Sequence, residues 1–241
     1  GTNKAEFGHG TAVLGIVLAQ DNAVGGVGIA RRARGGVGSF WLPPRPRVDI
    51  EVAGGGGYFS PVTDAAPFES LVNDFEIRRD PVIRRADAIL LALSHLDYGD
   101  VLLIEAEVGI TQPDYHTDFV PVEAESANFD VIQLGTACGI VIVEAAGNGY
   151  LDLDVFVPRQ GAAPIGSADS GAIMVAGSTA AVPHKREEQS NYGSRIDCYA
   201  WGEEVCTSGA GDRDQGTTGY RPNFGGTSSA SAIIAGAALS V

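Results

Sequence analysis

The apolar positions change period along the chain, and that change maps its elements. Residues 9–20 carry Ala12, Val13, Ile16 and Val17 at the i, i+3, i+4 spacing of one buried helix face, and Asp21-Asn22 ends the pattern. Residues 23–66 lose periodicity. Pro43-Pro44 and the run from Gly54 to Gly57 mark a long surface excursion, interrupted by a short strand over residues 36–42. Regularity returns at Pro81, which suits the first turn of a helix over residues 81–96. Residues 101–106 are a continuous apolar strand apart from Glu105. A helix over residues 123–137 is stopped by Gly139. Further strands are predicted over residues 140–145, 172–176 and 195–200, and a last helix from Thr227 to the chain end.

Strands that read as apolar runs and alternate with helices need both faces covered. They predict an α/β fold: a three-layer sandwich with a mostly parallel central sheet and helices on both faces. In such sheets binding and chemistry collect at the carboxyl ends of the strands. The excursion over residues 23–66 shows no clean boundary, so residues 1–241 read as a single domain.

Composition narrows the function classes. With 44% apolar residues and 33 glycines, the chain is globular and loop-rich. A net charge of −14 argues against nucleic acid as a partner, because phosphates demand a basic face. Arg31, Arg32, Arg34, Arg45 and Arg47 therefore read as a solvated basic loop. No apolar stretch reaches the roughly 20 residues of a membrane-spanning helix. Three cysteines do not make a disulfide framework. Cys138 falls on an apolar helix and is expected in the core, whereas Cys198 and Cys206 are close enough to pair across a turn, a question the sequence leaves open.

Three phrases at the edges of these elements carry candidate chemistry. Gly225-Gly226-Thr227-Ser228-Ser229-Ala230 opens the last helix: it reads either as an ordinary Ser/Thr helix start or as a nucleophile placed where the helix dipole favours developing negative charge. Gly8-His9-Gly10-Thr11 puts an imidazole directly before the first helix, either as a structural histidine or as a base left open to a cleft by its glycines. Ala145-Ala146-Gly147-Asn148-Gly149 puts an amide beyond a buried strand, as an Asn-Gly turn or as an oxyanion donor.

Taken together, His9, Asn148 and Ser228 form a base, an oxyanion donor and a nucleophile, and their phrases resemble the subtilase family of serine peptidases. Gly8-His9-Gly10-Thr11 is similar to the family's His-Gly-Thr motif. Ala145-Ala146-Gly147-Asn148 is similar to its oxyanion Asn segment, and Gly226-Thr227-Ser228-Ser229-Ala230 to its Gly-Thr-Ser-x-Ala motif. Val27-Gly28-Ile29-Ala30 and Ser190-Asn191-Tyr192-Gly193-Ser194 add support, all in the family's order. The resemblance implies a subtilisin-like fold and an endopeptidase. Ser228 would attack the scissile carbonyl, His9 would act as general base and acid, the Asn148 amide and the Ser228 backbone N–H would hold the oxyanion, and Gly147 would contact the substrate. It also implies a polypeptide substrate, a secreted monomer and no required cofactor. Structural calcium occurs in the family, but no dense Asp/Asn run marks a site here.

The chain departs from the family pattern at the aspartate expected before the His motif. Only eight residues precede His9 and none is Asp. The one Asp-Ser-Gly phrase, at Asp169, matches a connection before a later strand, so the chain is expected to begin inside the catalytic domain and to stop shortly after the nucleophile helix begins. Weak activity or none follows, because loss of this aspartate costs about 3 × 10⁴ in kcat in subtilisin. Ala232 replaces a proline usual in the nucleophile helix, a mild change. Glu105 and Glu107 stand where the family's groove strand carries small residues: they face solvent, or Glu107 favours a basic side chain near the cleaved bond.

Other chemistries fit less well. Gly26-Val27-Gly28 lacks the third glycine of a dinucleotide loop, Ser228 is not in Gly-x-Ser-x-Gly, and His9, His95, His116 and His184 form no His-x-x-x-His pair. The remaining alternative is a non-catalytic, subtilase-like binding or structural module, motivated by the absent aspartate.

Overall fold

A computed structural model of the chain describes residues 4–20, 26–35, 41–42, 82–83, 85–158, 162–209 and 219–241. Gly1–Gly38 with Arg85–Val241 form one compact unit, and Ser39–Arg84 another. In the smaller unit, β1 (Trp41–Leu42) pairs antiparallel with β2 (Val82–Ile83). Of the predicted excursion over residues 23–66, residues 26–35 and 41–42 are described; the rest, with residues 36–40 of the predicted strand, lies outside the described residues.

The larger unit is built on four parallel strands in the order β3 (Val101–Ile104), β6 (Val141–Ala145), β7 (Ile173–Ser178) and β8 (Cys198–Trp201). Their apolar runs serve both faces. On one face, Val143 and Val175 pack against Ala230 and Ala235 of α4 (Gly226–Ala238). On the other, Ile142 lies under α3 (Ser126–Ala137), so close to Gly135 that an added Cβ there would sit 2.7 Å from Ile142 Cδ1. This is the predicted α/β arrangement with a parallel sheet between helices, and small residues let the helices approach closely.

The first helix, α1 (Lys4–Leu18), buries Ala12, Val13, Ile16 and Val17 against Ala232, Val205 and Phe224, as its spacing predicts. Two antiparallel hairpins not read from the sequence flank the sheet: β4 (Glu107–Thr111) with β5 (Thr117–Pro121), and β9 (Val205–Gly209) with β10 (Gly219–Phe224).

Three expectations need correction, and one question left open by the sequence is answered. His9 lies within α1, not before it, because the helix starts at Lys4 and runs through Gly8 and Gly10. The helix expected over residues 81–96 is α2 (Arg85–Leu93), since Val82–Ile83 are taken up in strand pairing. Cys138 is exposed at the C-cap of α3, past the last apolar turn, rather than in the core. Cys198 and Cys206 are free thiols, and burial together with Asp197 pushes Cys198 up.

Candidate functional site

The carboxyl ends of the parallel strands open onto a cleft of about 670 Å³. Glu105 follows β3, Asn148 lies beyond β6, and Gly202 follows β8, each reaching the same space. His9 enters from α1 and Ser228 from the first turn of α4, so the structure gathers His9, Asn148 and Ser228 around one cavity. Gly147 does not line it. With φ of +90° and Asn191 Nδ2 only 2.8 Å from where a Cβ would be, Gly147 serves as the bend that delivers Asn148.

Asn191 locks that bend. It is fully buried, accepts from the Gly149 and Leu151 amides at 3.0 and 2.9 Å, and donates to the Phe119 and Ala146 carbonyls at 2.8 Å each. A buried amide with all these bonds made leaves the loop little freedom. Asn148 Oδ1 then accepts from Thr227 N at 3.0 Å and from Thr227 Oγ1 at 3.3 Å, tying the strand end to the start of α4. Gly226 makes room for this contact: its φ is +75°, and a Cβ there would lie 3.0 Å from Asn148 Oδ1. Ser228 follows, half-buried on the cleft wall, and its hydroxyl has no hydrogen-bond partner among the described residues.

Of the two alternatives for Glu105 and Glu107, a solvent-facing strand end or a place at the substrate groove, the structure puts both side chains at the cleft. Glu105 has a side chain only 13% exposed, with Oε2 at 3.4 Å from His9 Nε2, and its Oε1 accepts from Ser231 Oγ. Glu107 Oε2 accepts from Asn148 N at 3.0 Å and from Asn148 Nδ2 at 3.2 Å. The charge that interrupts the apolar strand at Glu105 was the one visible signal of this pairing. His9 also packs edge-on against Phe224, with ring centroids 5.4 Å apart.

Further carboxylates, Glu187, Glu203 and Glu204, line the cleft, and among the described residues no lysine or arginine does. Glu187 Oε2 is buried without a hydrogen-bond partner, and burial, with Glu203 nearby, raises its pKa. Asp169 is elsewhere: its carboxylate caps the Gly171 amide at 2.7 Å and lies 3.3 Å from Arg195, so it does not serve His9. Among the described residues no group of three or more His, Cys, Asp or Glu side chains is placed to hold a metal ion.

The model of the subtilase family matches residues 113–241, more than half of the chain. Solved structures with the same fold include a protease from Pseudoalteromonas arctica, 23% identical with a TM-score of 0.53, covering 96% of this chain and 57% of that one. The chain is also similar to a cold-adapted subtilisin-like serine proteinase, 22% identical with a TM-score of 0.45, covering 67% of this chain and 50% of that one. The chain thus spans between half and three-fifths of the length of these structures. No curated protein matches. The parallel sheet, with its helices on both faces, defines a subtilisin-like α/β protein. The chain belongs to the subtilase family of serine proteases.

Proposed function

We propose that the chain is a serine endopeptidase acting on polypeptides through an acyl-enzyme on Ser228. The observation that carries this reading is the convergence of His9, Asn148 and Ser228 on one cleft at the carboxyl ends of the sheet. In this reading the Ser228 O–H bond breaks as its oxygen attacks the scissile carbonyl carbon. The proton passes to His9, and the carbonyl π pair moves onto oxygen. The oxyanion takes the place of Glu107 at Asn148 Nδ2, helped by the amide groups at the start of α4. His9 then gives its proton to the leaving amine as the C–N bond breaks, and water later releases the acyl group by the same route. No cofactor is needed for these steps. Glu107, which lines the cleft, suits a basic side chain beside the cleaved bond. A monomer and a secreted location are carried over from the family alone.

A second reading, a binding module, has one specific observation in its favour. His9 and Asn148 are each held by a glutamate, and Ser228 is hydrogen-bonded to neither. An organophosphorus probe separates the two. Labelling of Ser228 in the wild-type chain, absent in Ser228→Ala, supports the peptidase; a protein that stays unlabelled while peptides bind its cleft is the module.

A further inference from the structure

We infer that a second groove, between the turn over residues 182–186 and the edge strand β8, seats an acidic stretch of the polypeptide that occupies the cleft. The inference rests on the peptidase reading above and narrows its substrate class to chains that carry acidic residues away from the cleaved bond.

Three observations support it. First, the charge of the lining is the reverse of the chain's own. The chain has a net charge of −14, yet this groove of about 480 Å³ is lined by His184, Lys185 and Arg186 and by no Asp or Glu among the described residues. Neither Lys185 nor Arg186 is ion-paired among those residues. Arg186 Nη1 donates to the carbonyls of Glu187, Glu188 and Ser190 at 3.2, 2.9 and 2.7 Å, and its Cζ lies 4.4 Å from the Tyr192 ring centroid. These partners fix the guanidinium without neutralising it. Second, the groove has an aromatic floor. Cys198 and Ala200 pack into the core with α4, so Tyr199 and Trp201 alternate to the opposite side of β8, where they stay 46% and 48% exposed. Tyr, Trp and Arg are the side chains enriched where proteins meet. The floor is held in place. Trp201 O accepts from Ser229 Oγ at 2.8 Å, and the His184 ring, 6.3 Å from that of Trp201, donates through Nδ1 to the Thr179 carbonyl at 3.0 Å. Third, the groove adjoins the cleft along two segments. Lys185 and Arg186 line the groove and Glu187 the cleft; Trp201 lines the groove and Gly202 the cleft. The Glu187 carboxylate turns away from the basic side, its Oε2 only 2.7 and 2.1 Å from where Cβ atoms on Gly177 and Gly202 would be.

The occupant follows from the change of sign between the two spaces. A ligand that fills both meets five glutamates in the cleft and three basic side chains in the groove. A polypeptide can reverse its charge within a few residues, whereas a nucleic acid carries the same charge at every phosphate and would be repelled by the cleft. A small anion would gain nothing from Tyr199 and Trp201. Carboxylates of the substrate would meet one fixed cation, Arg186, and one adaptable cation, Lys185, in charge-assisted hydrogen bonds. Binding both spaces with one chain makes the second contact intramolecular, so the groove raises affinity without touching the scissile bond.

The test is peptide binding by the full chain, read from the anisotropy of fluorescein-labelled peptides, so that it does not depend on catalysis. Every peptide has a central arginine. One carries a run of glutamates before it and one a run after it, and two controls carry glutamines in the same places. One of the glutamate peptides is expected to bind about tenfold tighter than its control at low salt, with the ratio shrinking as salt rises. Lys185→Glu changes an exposed side chain without an ion-pair partner. It should abolish the ratio and leave the glutamine peptides unaffected. Equal affinity of both glutamate peptides and their controls in wild type, including no measurable binding of any, overturns the inference. A ratio that survives Lys185→Glu overturns it too, since the glutamates are then recognised elsewhere. So does a single-stranded oligonucleotide that displaces the favoured peptide and binds more tightly than it does. A ratio that holds in a chain whose Ser228 takes no fluorophosphonate upholds the groove and sinks the peptidase reading; cleavage of the peptides without the ratio does the reverse.

Discussion

Two groups of carboxylates share this sheet and meet opposite fates. In the interior, Glu123 and Arg195 form a two-pronged ion pair, Nε to Oε1 at 2.7 Å and Nη2 to Oε2 at 3.0 Å, with both side chains nearly inaccessible. Arg195 also reaches Asp197 Oδ2 at 2.9 Å and the Ala172 carbonyl at 3.0 Å, while Ser170 Oγ donates to Glu123. Glu144 joins from β6, accepting the Glu123 amide at 2.9 Å. In the cleft, Glu105, Glu107, Glu187, Glu203 and Glu204 face one another with His9 as the sole basic side chain lining the space among the described residues. A buried charge must find its counterion within the chain, because desolvation is not otherwise offset. Charges at a substrate cleft can also be matched by the ligand, and of these five only Glu105 lies beside a basic side chain, His9, among the described residues.

The comparison predicts that the two regions fail in different ways. Ser228→Ala should remove labelling and lower the remaining peptide hydrolysis by about 10², what is left of the nucleophile's loss in subtilisin once its aspartate is gone, while the urea midpoint stays put. Arg195→Leu should do the reverse. It strands Glu123 in the interior and is expected to cost about 3–5 kcal/mol of stability. An Arg195→Leu protein that unfolds at the wild-type urea concentration would show that the interior carboxylates relax onto other partners.

How far the sequence carried each region follows from the same difference. The sheet was legible because β3, β6 and β7 are apolar runs, and the start of α4 because Gly225-Gly226-Thr227-Ser228 announces it. His9 lies one element boundary away from where the sequence suggests: its flanking glycines suit an imidazole left open at a helix start, but burial of Ala12, Val13, Ile16 and Val17 holds a helix through both. The turn of the β4–β5 hairpin holds Pro113-Asp114, a turn signal, between strands too short to show a period. The Glu123–Arg195 pair spans 72 positions, and no local pattern links residues so far apart. Glu105 was visible as a charge in an apolar strand, but whether it met solvent or His9 depended on where α1 lies, which local pattern does not encode.

A smaller effect separates the regions by pH. Burial, with the Glu123 charge beside it, pushes Glu144 up to about 8 from an ordinary 4.5. Below the ordinary value the group is protonated folded or unfolded. Between the two values the unfolded chain loses the proton and the folded one keeps it, so the folded state binds more protons and stability falls as pH rises. Glu144→Gln stays neutral throughout and should flatten that fall. Urea unfolding measured at about pH 5 and about pH 8 checks it, within the window those two values define. A slope unchanged in Glu144→Gln would assign the pH dependence to other carboxylates.

The smallest expected effect tests whether the cleft's charges are meant for a ligand. Glu107 now spends its carboxylate on Asn148 N and Nδ2. A substrate arginine beside the scissile bond gives that carboxylate a stronger, bidentate partner and releases the Asn148 amide for the oxyanion. A substrate leucine offers no such exchange, so the amide stays shared with Glu107. Wild type should therefore cleave an arginine peptide about tenfold faster in kcat/KM than its leucine counterpart, which corresponds to about 1.4 kcal/mol. Glu107→Ala should erase the ratio from both sides: the arginine peptide loses its partner, and the leucine peptide gains an unencumbered amide donor. Cleavage of the leucine peptide should thus hold or rise in the variant, an outcome that simple damage to the site would not produce. Equal rates for the two peptides in wild type, unchanged by the substitution, would mean that the Glu107 charge is met within the chain, as the Glu123 charge is by Arg195.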